Sequence, residues 1–160
     1  MQDFVHLHVH TQYSLLDGQA SVARLVDKAM KNGMKGIAVT DHGNMFGIKE
    51  FTNYVNKKNS GPKGEVKDLK KRIAGIEAGT IECEDKEAEI AACKAKIVEA
   101  ENKLFKPIIG CEMYVARRTM DLKEGKPDQS GYHLIVLAKN ETGYHNLCLL
   151  YTSPSPRDGL

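Results

Sequence analysis

Three histidines alternate with apolar residues close to the start of the chain, at His6, His8 and His10. Successive side chains of a β-strand point to opposite faces, so this pattern predicts a strand over residues 4–11 with all three imidazoles on one face. The apolar residues between them would pack beneath helices. Residues two apart in a strand lie about 6.6–6.8 Å apart, so two rings could share one metal ion or bind adjacent ions. The alternative is a strand whose histidines bind no metal.

Composition sets broad limits on what the chain can be. Its 160 residues are 41% hydrophobic and 28% charged, with a net charge of +2, which indicates one soluble globular domain. The nearly balanced charge argues against a strongly basic nucleic-acid surface. There is no apolar run of about 18 residues and no leader pattern, so we expect a cytoplasmic protein without a membrane span. The four cysteines include no C-x-x-C pair and are expected to be reduced thiols.

A strand–helix–strand unit is predicted next. Ser21 is a candidate N-cap for an amphipathic helix that ends at Gly33, and the apolar residues 36–40 form a buried parallel strand. Before this helix, Asp17 is followed by Gly18 in a turn signal. Asp17 either makes an Asx-type turn or serves as a carboxylate ligand beside His8 and His10.

The second strand leads into Thr40-Asp41-His42-Gly43-Asn44, and a helix is predicted from about Met45 to Asn56. Polar groups at the carboxyl ends of parallel strands are where α/β proteins place their sites. We therefore expect His42 to lie in the same crevice as His8 and His10. Taken alone, the Asp-His pair before a glycine could equally be a helix-cap turn.

Residues 57–106 differ in kind, with 12 basic and 10 acidic residues. We expect Ser60-Gly61-Pro62 to break any preceding helix. Two series of apolar residues then follow at alternating spacings of three and four, interrupted at Gly79-Thr80, which predicts an antiparallel helical hairpin. It is either a solvated insertion or an arm that docks a partner. The two series are Val66, Leu69, Ile73, Ile76 and Ile90, Cys93, Ile97, Ala100, Leu104.

The βα alternation is then expected to resume. A strand over 107–115 directs Glu112 to the same face as Gly110 and Tyr114, and a carboxylate there needs a partner, either a divalent cation or an arginine at 117 or 118. A further strand over 133–138 opens with His133. A helix from Thr142 to Leu150 and a disordered Pro/Ser-rich tail over 151–160 complete the predicted elements.

The candidate ligands all offer nitrogen or oxygen, which suits a site of several Zn or Mn ions. Adjacent divalent ions lower the pKa of a bound water and stabilise both oxygens of an in-line phosphoryl displacement. The residues therefore predict metal-dependent hydrolysis of a phosphoester. The candidates are His8, His10, Asp17, His42, Glu112 and His133.

Five ordered motifs in residues 3–58 and 104–150 resemble a known family. In this order they closely resemble the N-terminal PHP (polymerase and histidinol phosphatase) domain of bacterial replicative DNA polymerase III α subunits. The motifs are His6-Leu7-His8-Val9-His10-Thr11, Tyr13-Ser14-Leu15-Leu16-Asp17-Gly18, Thr40-Asp41-His42-Gly43-Asn44-Met45-Phe46-Gly47, Lys106-Pro107-Ile108-Ile109-Gly110-Cys111-Glu112 and His133-Leu134-Ile135-Val136-Leu137-Ala138-Lys139-Asn140.

The resemblance implies an α/β fold, a distorted (β/α)7 barrel with up to three metal ions at the C-terminal strand ends. It assigns ligand roles to all six candidates, with Glu112 as the bridging carboxylate, and it leaves His6 out. The family supplies further ligands, a cysteine, an aspartate and a histidine, beyond this region. Residues 1–150 would then be the N-terminal part of the domain, 57–106 a helical hairpin insertion and 151–160 a tail foreign to the family.

The same resemblance implies a function in DNA replication, with DNA and other replicase subunits as partners. In some members of the family the site is associated with 3′–5′ exonuclease proofreading. In others it stabilises the polymerase or docks a separate proofreading subunit. A free-standing phosphatase of the same superfamily is a third alternative, and we expect these 160 residues alone to be inactive.

Overall fold

The protein is described from a computed structural model, which covers residues 4–119, 121–122, 124–126 and 131–152. The chain divides into two compact units, one of residues 1–54 with 106–160 and one of residues 55–105. None of the helices in the described ranges is both long and apolar enough to span a membrane. The elements, in chain order, are α1 (Val22–Lys31), β1 (Gly36–Val39), α2 (Ile48–Lys58), α3 (Ser60–Glu77), α4 (Lys86–Asn102), β2 (Lys106–Val115), β3 (Tyr132–Leu137) and α5 (Glu141–Tyr151).

The first unit contains a three-stranded sheet in the order β1-β2-β3. β1 and β2 run parallel, with Val39 opposite Ile109, whereas β2 and β3 run antiparallel, with Tyr114 opposite His133. The antiparallel β3 corrects the expectation that the βα alternation simply resumes. Across the described residues the strands form an open sheet, so the (β/α)7 barrel stays a prediction.

The core of this unit includes β1 and α1, together with Phe51 of α2 and Leu147 of α5. All four residues of β1 are buried, and Val22, Val26 and Ala29 present the buried face of α1. Ser21 precedes the helix in an extended conformation, and Gly33 follows it with a φ of 78°, a conformation that glycine adopts without strain. Helix α1 and strand β1 therefore form close to where the sequence predicts them.

Residues 4–11 do not form the regular strand that their alternation predicts. The backbone carbonyls of His6 and Val9 accept from the N–H groups of Ala38 and Thr40, respectively. The step from His6 to Val9 is three residues and the step from Ala38 to Thr40 is two, so the first segment contains one extra residue. An extra residue of this kind makes a bulge, which puts His6 out of phase with the histidines that follow. Leu7 is 50% exposed, so the expected buried apolar face is also wrong there.

The boundaries of two helices differ from the sequence prediction. Helix α2 begins at Ile48 rather than near Met45, and α5 continues to Tyr151, which places the first residue of the expected tail in a helix. The side chain of Asn140 accepts a hydrogen bond from the N–H of Gly143 and so caps α5. Residues 153–160 of the expected tail lie outside the described residues.

The second unit is built mainly from α3 and α4. Their buried residues fall on the predicted apolar seams, at Ile76 in α3 and at Cys93, Ile97 and Ala100 in α4. Asp85 caps α4, its side chain accepting from the N–H of Ala88 at 3.0 Å.

The ends of this unit show how its chain reverses. The side chain of Asn59 donates to the carbonyl of Phe105 and accepts from its N–H, whereas the carbonyl of Gly75 accepts from Ile81 at the other end. The two helices are therefore antiparallel. The expected helix break is confirmed, because α2 ends at Lys58 and a separate helix, α3, begins at Ser60. Pro62 lies in the first turn of α3, where a missing N–H costs nothing.

Candidate metal centre

The six predicted ligands gather at one edge of the sheet in three overlapping groups. Within each group the candidate ligand atoms lie within 4.8 Å of one another. The groups are His8 with His10 and Glu112, His10 with Asp17 and His42, and His42 with Glu112 and His133. His10, His42 and Glu112 each belong to two groups, which is the arrangement expected of a site with more than one ion.

Glu112 lies at the centre of these groups and is 2% exposed. Its Oε2 lies 2.7 Å from Nε2 of His8 and 2.6 Å from Nε2 of His10, whereas its Oε1 contacts Nδ1 of His133. The two carboxylate oxygens thus face different imidazoles, as in a carboxylate that bridges two ions.

The spacing of the imidazoles also fits a shared ion. The Nε2 atoms of His8 and His10 are 3.2 Å apart. Two ligands about 2.0–2.1 Å from a tetrahedral metal ion lie roughly 3.3 Å from each other. The pair of residues that the sequence places two apart can therefore bind one ion together.

Two backbone features bring His42 to Glu112. The chain continues beside β2 after β1 ends, and His42 forms an isolated parallel bridge with Glu112. The N–H of Gly43 donates to the carbonyl of Glu112 at 2.8 Å, and Gly43 has a φ of 65°, so a side chain there would be strained. The Asp-His-Gly sequence therefore ends the strand pairing directly beside the carboxylate of Glu112.

Asp17 lies between His10 and His42, not beside His8 as the sequence analysis allowed. Its Oδ1 is 3.1 Å from Nδ1 of His10, and its Oδ2 is 2.8 Å from Nδ1 of His42. Such a carboxylate can bind an ion directly or orient a ligand imidazole from behind. The hydrogen bond from His42, followed by the charge of His10, holds the pKa of Asp17 below its usual range.

The electrostatics of Glu112 reflect the same imidazoles. Burial works to raise the pKa of this carboxyl, but the hydrogen bonds from His8 and His10, with the charges of His10 and His133, outweigh it, and the pKa lies below its usual range. The carboxylate is thus kept ionised, which is the form that binds cations. The expected arginine partners lie elsewhere, since Arg117 stacks on Tyr132 and Arg118 approaches Glu124.

Asp41 fixes the loop that carries Asp17, a role that the sequence analysis missed. Its carboxylate, 1% exposed, accepts from the N–H of Thr11 at 2.6 Å, from the hydroxyl of Thr11 at 2.8 Å and from the hydroxyl of Ser14 at 3.0 Å. The same Ser14 oxygen accepts from the N–H of His42. Gly18 closes the loop so tightly that a Cβ there would lie 1.8 Å from the Thr11 carbonyl oxygen.

Comparison with protein families gives a match over nearly the whole chain. The family described as PHP domain matches residues 6–158. The chain belongs to the PHP domain family. This match extends through residues 57–106 and beyond residue 150, further than the motifs on which the resemblance was based.

Relatives of this PHP domain are named DNA polymerase III subunit alpha. The protein of Treponema pallidum is 40% identical over 92% of the chain, and that of Borreliella burgdorferi is 40% identical over 98%. The protein of Aquifex aeolicus is 32% identical over 94%. The chain spans only 9–10% of the length of these three relatives.

Tyr114 and Cys111 of β2, on either side of Glu112 in the PHP domain, point to opposite faces. The hydroxyl of Tyr114 contacts Nε2 of His42, and its ring centroid is 4.7 Å from that of His133. Strand alternation already placed Tyr114 on the face of Glu112, so this signal was available in the sequence. Cys111 points to the opposite side, where burial, followed by the charge of Asp41, raises the pKa of its thiol to about 11.

Proposed function

We propose that this PHP domain binds divalent metal ions, Zn or Mn, through His8, His10, Asp17, His42, Glu112 and His133, and hydrolyses phosphodiester bonds. The observation that carries the proposal is the division of the two Glu112 oxygens between His8 and His10 on one side and His133 on the other. Divalent ions held there would supply Lewis-acid activation of water and stabilise the charge of the phosphoryl group.

The residues around the site have the complementary task of holding the ligands in place. The two hydroxyls of the neighbouring loop, on Thr11 and Ser14, donate to Asp41 and are therefore engaged in structure. Asp17, itself one of the proposed ligands, also lies against the Nδ1 atoms of His10 and His42 and so helps to orient both rings. The proposed chemistry thus needs no protein nucleophile.

The substrate that we propose is the 3′ end of DNA, within the α subunit of a replicative DNA polymerase acting in the cytoplasm with other replicase subunits. Support comes from the relatives, which are named DNA polymerase III subunit alpha. Because those proteins are about ten times longer than this chain, they also favour a polymerase domain over a free-standing phosphatase.

The test is Glu112→Gln in the full-length protein, with Glu99→Gln on the exposed side of α4 as the matched control. We expect Glu112→Gln to lower metal-dependent 3′–5′ removal of a mismatched primer terminus by about 100-fold or more, since changing even an outer-shell partner costs 10–100-fold. Polymerisation should persist in both variants, and Glu99→Gln should retain both activities.

Unchanged mismatch removal by the Glu112→Gln protein would contradict catalysis at this site. If that variant also released the metal ions and lost the association with another replicase subunit, the domain would instead serve as a metal-stabilised docking module. The readouts are gel analysis of primer shortening, primer extension and metal content.

A further inference from the structure

One flank of α3 carries lysines on successive helical turns. Lys63, Lys67, Lys70 and Lys71 follow a spacing of four, three and one residues, so they lie on the same side of the helix. With Val66 and Ala74 they line a shallow groove of about 550 Å³. We name these four residues the lysine flank.

The acidic residues near the lysine flank are few. Glu65 points away from it by helical spacing, Asp68 lies three residues before Lys71 at the border of the flank, and Glu77 is reached only at the last residue of α3. From α4, Glu101 approaches Lys70 at 3.9 Å, a contact that is exposed and therefore weak. Within the part of the chain that the structure describes, the other three lysines of the flank form no ion pair.

The opposite flank of α3 is arranged differently. There Arg72 forms two hydrogen bonds with Glu89 of α4, at 2.7 and 3.0 Å, so its charge is compensated within the unit. On the lysine flank, by contrast, Lys63 donates to the neutral side-chain oxygen of Asn56 at 2.9 Å. Positive charge is therefore concentrated on one side of a helix in a chain whose total net charge is only +2.

We propose that the lysine flank binds the phosphate backbone of DNA. The eight steps from Lys63 to Lys71 span about 12 Å at 1.5 Å per residue. One strand of duplex DNA carries a phosphate about every 3.4 Å along the axis, so the flank matches three to four phosphates. Lysine contacts phosphate as a point charge on a flexible stem, which gives affinity without sequence preference. The choice of DNA rests on the proposed function.

The test is the variant K63Q/K67Q/K71Q in the complete 160-residue chain, with K86Q/K94Q/K96Q on α4 as a control of equal charge change. Glutamine and lysine have similar helix propensities, so helicity should persist, as circular dichroism would show. Binding of a short fluorescent duplex would be followed by anisotropy between about 50 and 200 mM salt. The K63Q/K67Q/K71Q protein should bind at least about tenfold more weakly at low salt, with a salt slope smaller by about 2–3.

Three results would overturn the proposal. One is no binding of the duplex by the unaltered chain at low salt. Another is an equal loss in the K86Q/K94Q/K96Q control, which would indicate general attraction to a charged surface. The third is displacement of the duplex by polyglutamate at equal charge concentration, which would point to an acidic protein as the partner.

Failure of this proposal can be told from failure of the proposed function. Glu112→Gln acts at the candidate metal centre, where the DNA end would bind, so its duplex binding does not enter this test. K63Q/K67Q/K71Q leaves the candidate ligands intact and should bind metal ions normally. Each proposal is thus contradicted by its own variant alone.

Discussion

The metal rim, formed by the six candidate ligands, and the helical hairpin of α3 and α4 are assembled in opposite ways. In the rim, His8 and His10 reach Glu112 across 104 and 102 positions of sequence. In the hairpin, Arg72 and Glu89 are 17 positions apart. The hairpin therefore depends on local periodicity, whereas the rim depends on long-range pairing of the backbone.

The two regions also bury different chemistry. The hairpin buries aliphatic residues and Cys93, whose burial is favourable without any partner. The rim buries the carboxylate of Glu112, and that of Asp41 is buried next to it; both must be compensated because an unpaired buried charge is costly. Within the described part of the chain, no buried side-chain nitrogen or oxygen lacks a hydrogen-bond partner. Each region should therefore respond to its own kind of substitution.

Ile76→Ala should have the largest effect, and only on the hairpin. Ile76 is fully buried, and truncating a buried isoleucine to alanine costs about 2–5 kcal/mol. Amide hydrogen exchange should show that free-energy loss in α3 and α4, while metal affinity stays as in the unaltered chain. A parallel loss of metal affinity would show that the two regions are energetically linked.

The second largest effect is expected in the alkylation rates of two cysteines, one from each region. Cys111, beside the rim, has a pKa raised to about 11 from an ordinary 9.0, so its reactive thiolate fraction near neutral pH falls about 100-fold. Alkylation of Cys111 by iodoacetamide, measured by peptide mass spectrometry, should be correspondingly slow and rise with pH up to about 11. Cys83, half-buried at the hairpin turn, is the comparison thiol. Equal rates at the two thiols would contradict the packing around Cys111.

Asp41→Asn should weaken metal binding by about 10–100-fold, the usual cost of losing an outer-shell partner. The amide can no longer accept all three hydrogen bonds from Thr11 and Ser14, so the loop that carries Asp17 loosens. Isothermal titration with Mn or Zn measures the change, and Asp68→Asn on α3 is the control. Unaltered affinity in the Asp41→Asn protein would leave that loop without a role in the site.

The sequence alone predicted those elements that depend on residues close together in the chain. Helix α1, strand β1 and the seams at Ile76 and Ile97 arise from local spacing of apolar residues, so periodicity predicts them. The motifs also named the six candidate ligands that the structure brings together. Their role as metal ligands stays a prediction.

What the sequence could not supply is pairing between distant segments. The bulge between His6 and Val9 exists only relative to Ala38 and Thr40, so alternation alone mispredicted a regular strand. The antiparallel direction of β3 depends on its register with β2, which leaves no local signature. The role of Asp41 was missed because the three groups that donate to its carboxylate, on Thr11 and Ser14, lie about 30 residues earlier in the chain.

The most direct test of the account is crystallography of the protein soaked with Mn, using anomalous scattering to locate the ions. The account predicts at least two peaks, one shared by His8, His10 and Glu112 and another by Glu112, His42 and His133, with Glu112 bridging the two. An anomalous map with no peak at this rim, or with peaks that Glu112 does not contact, would contradict it.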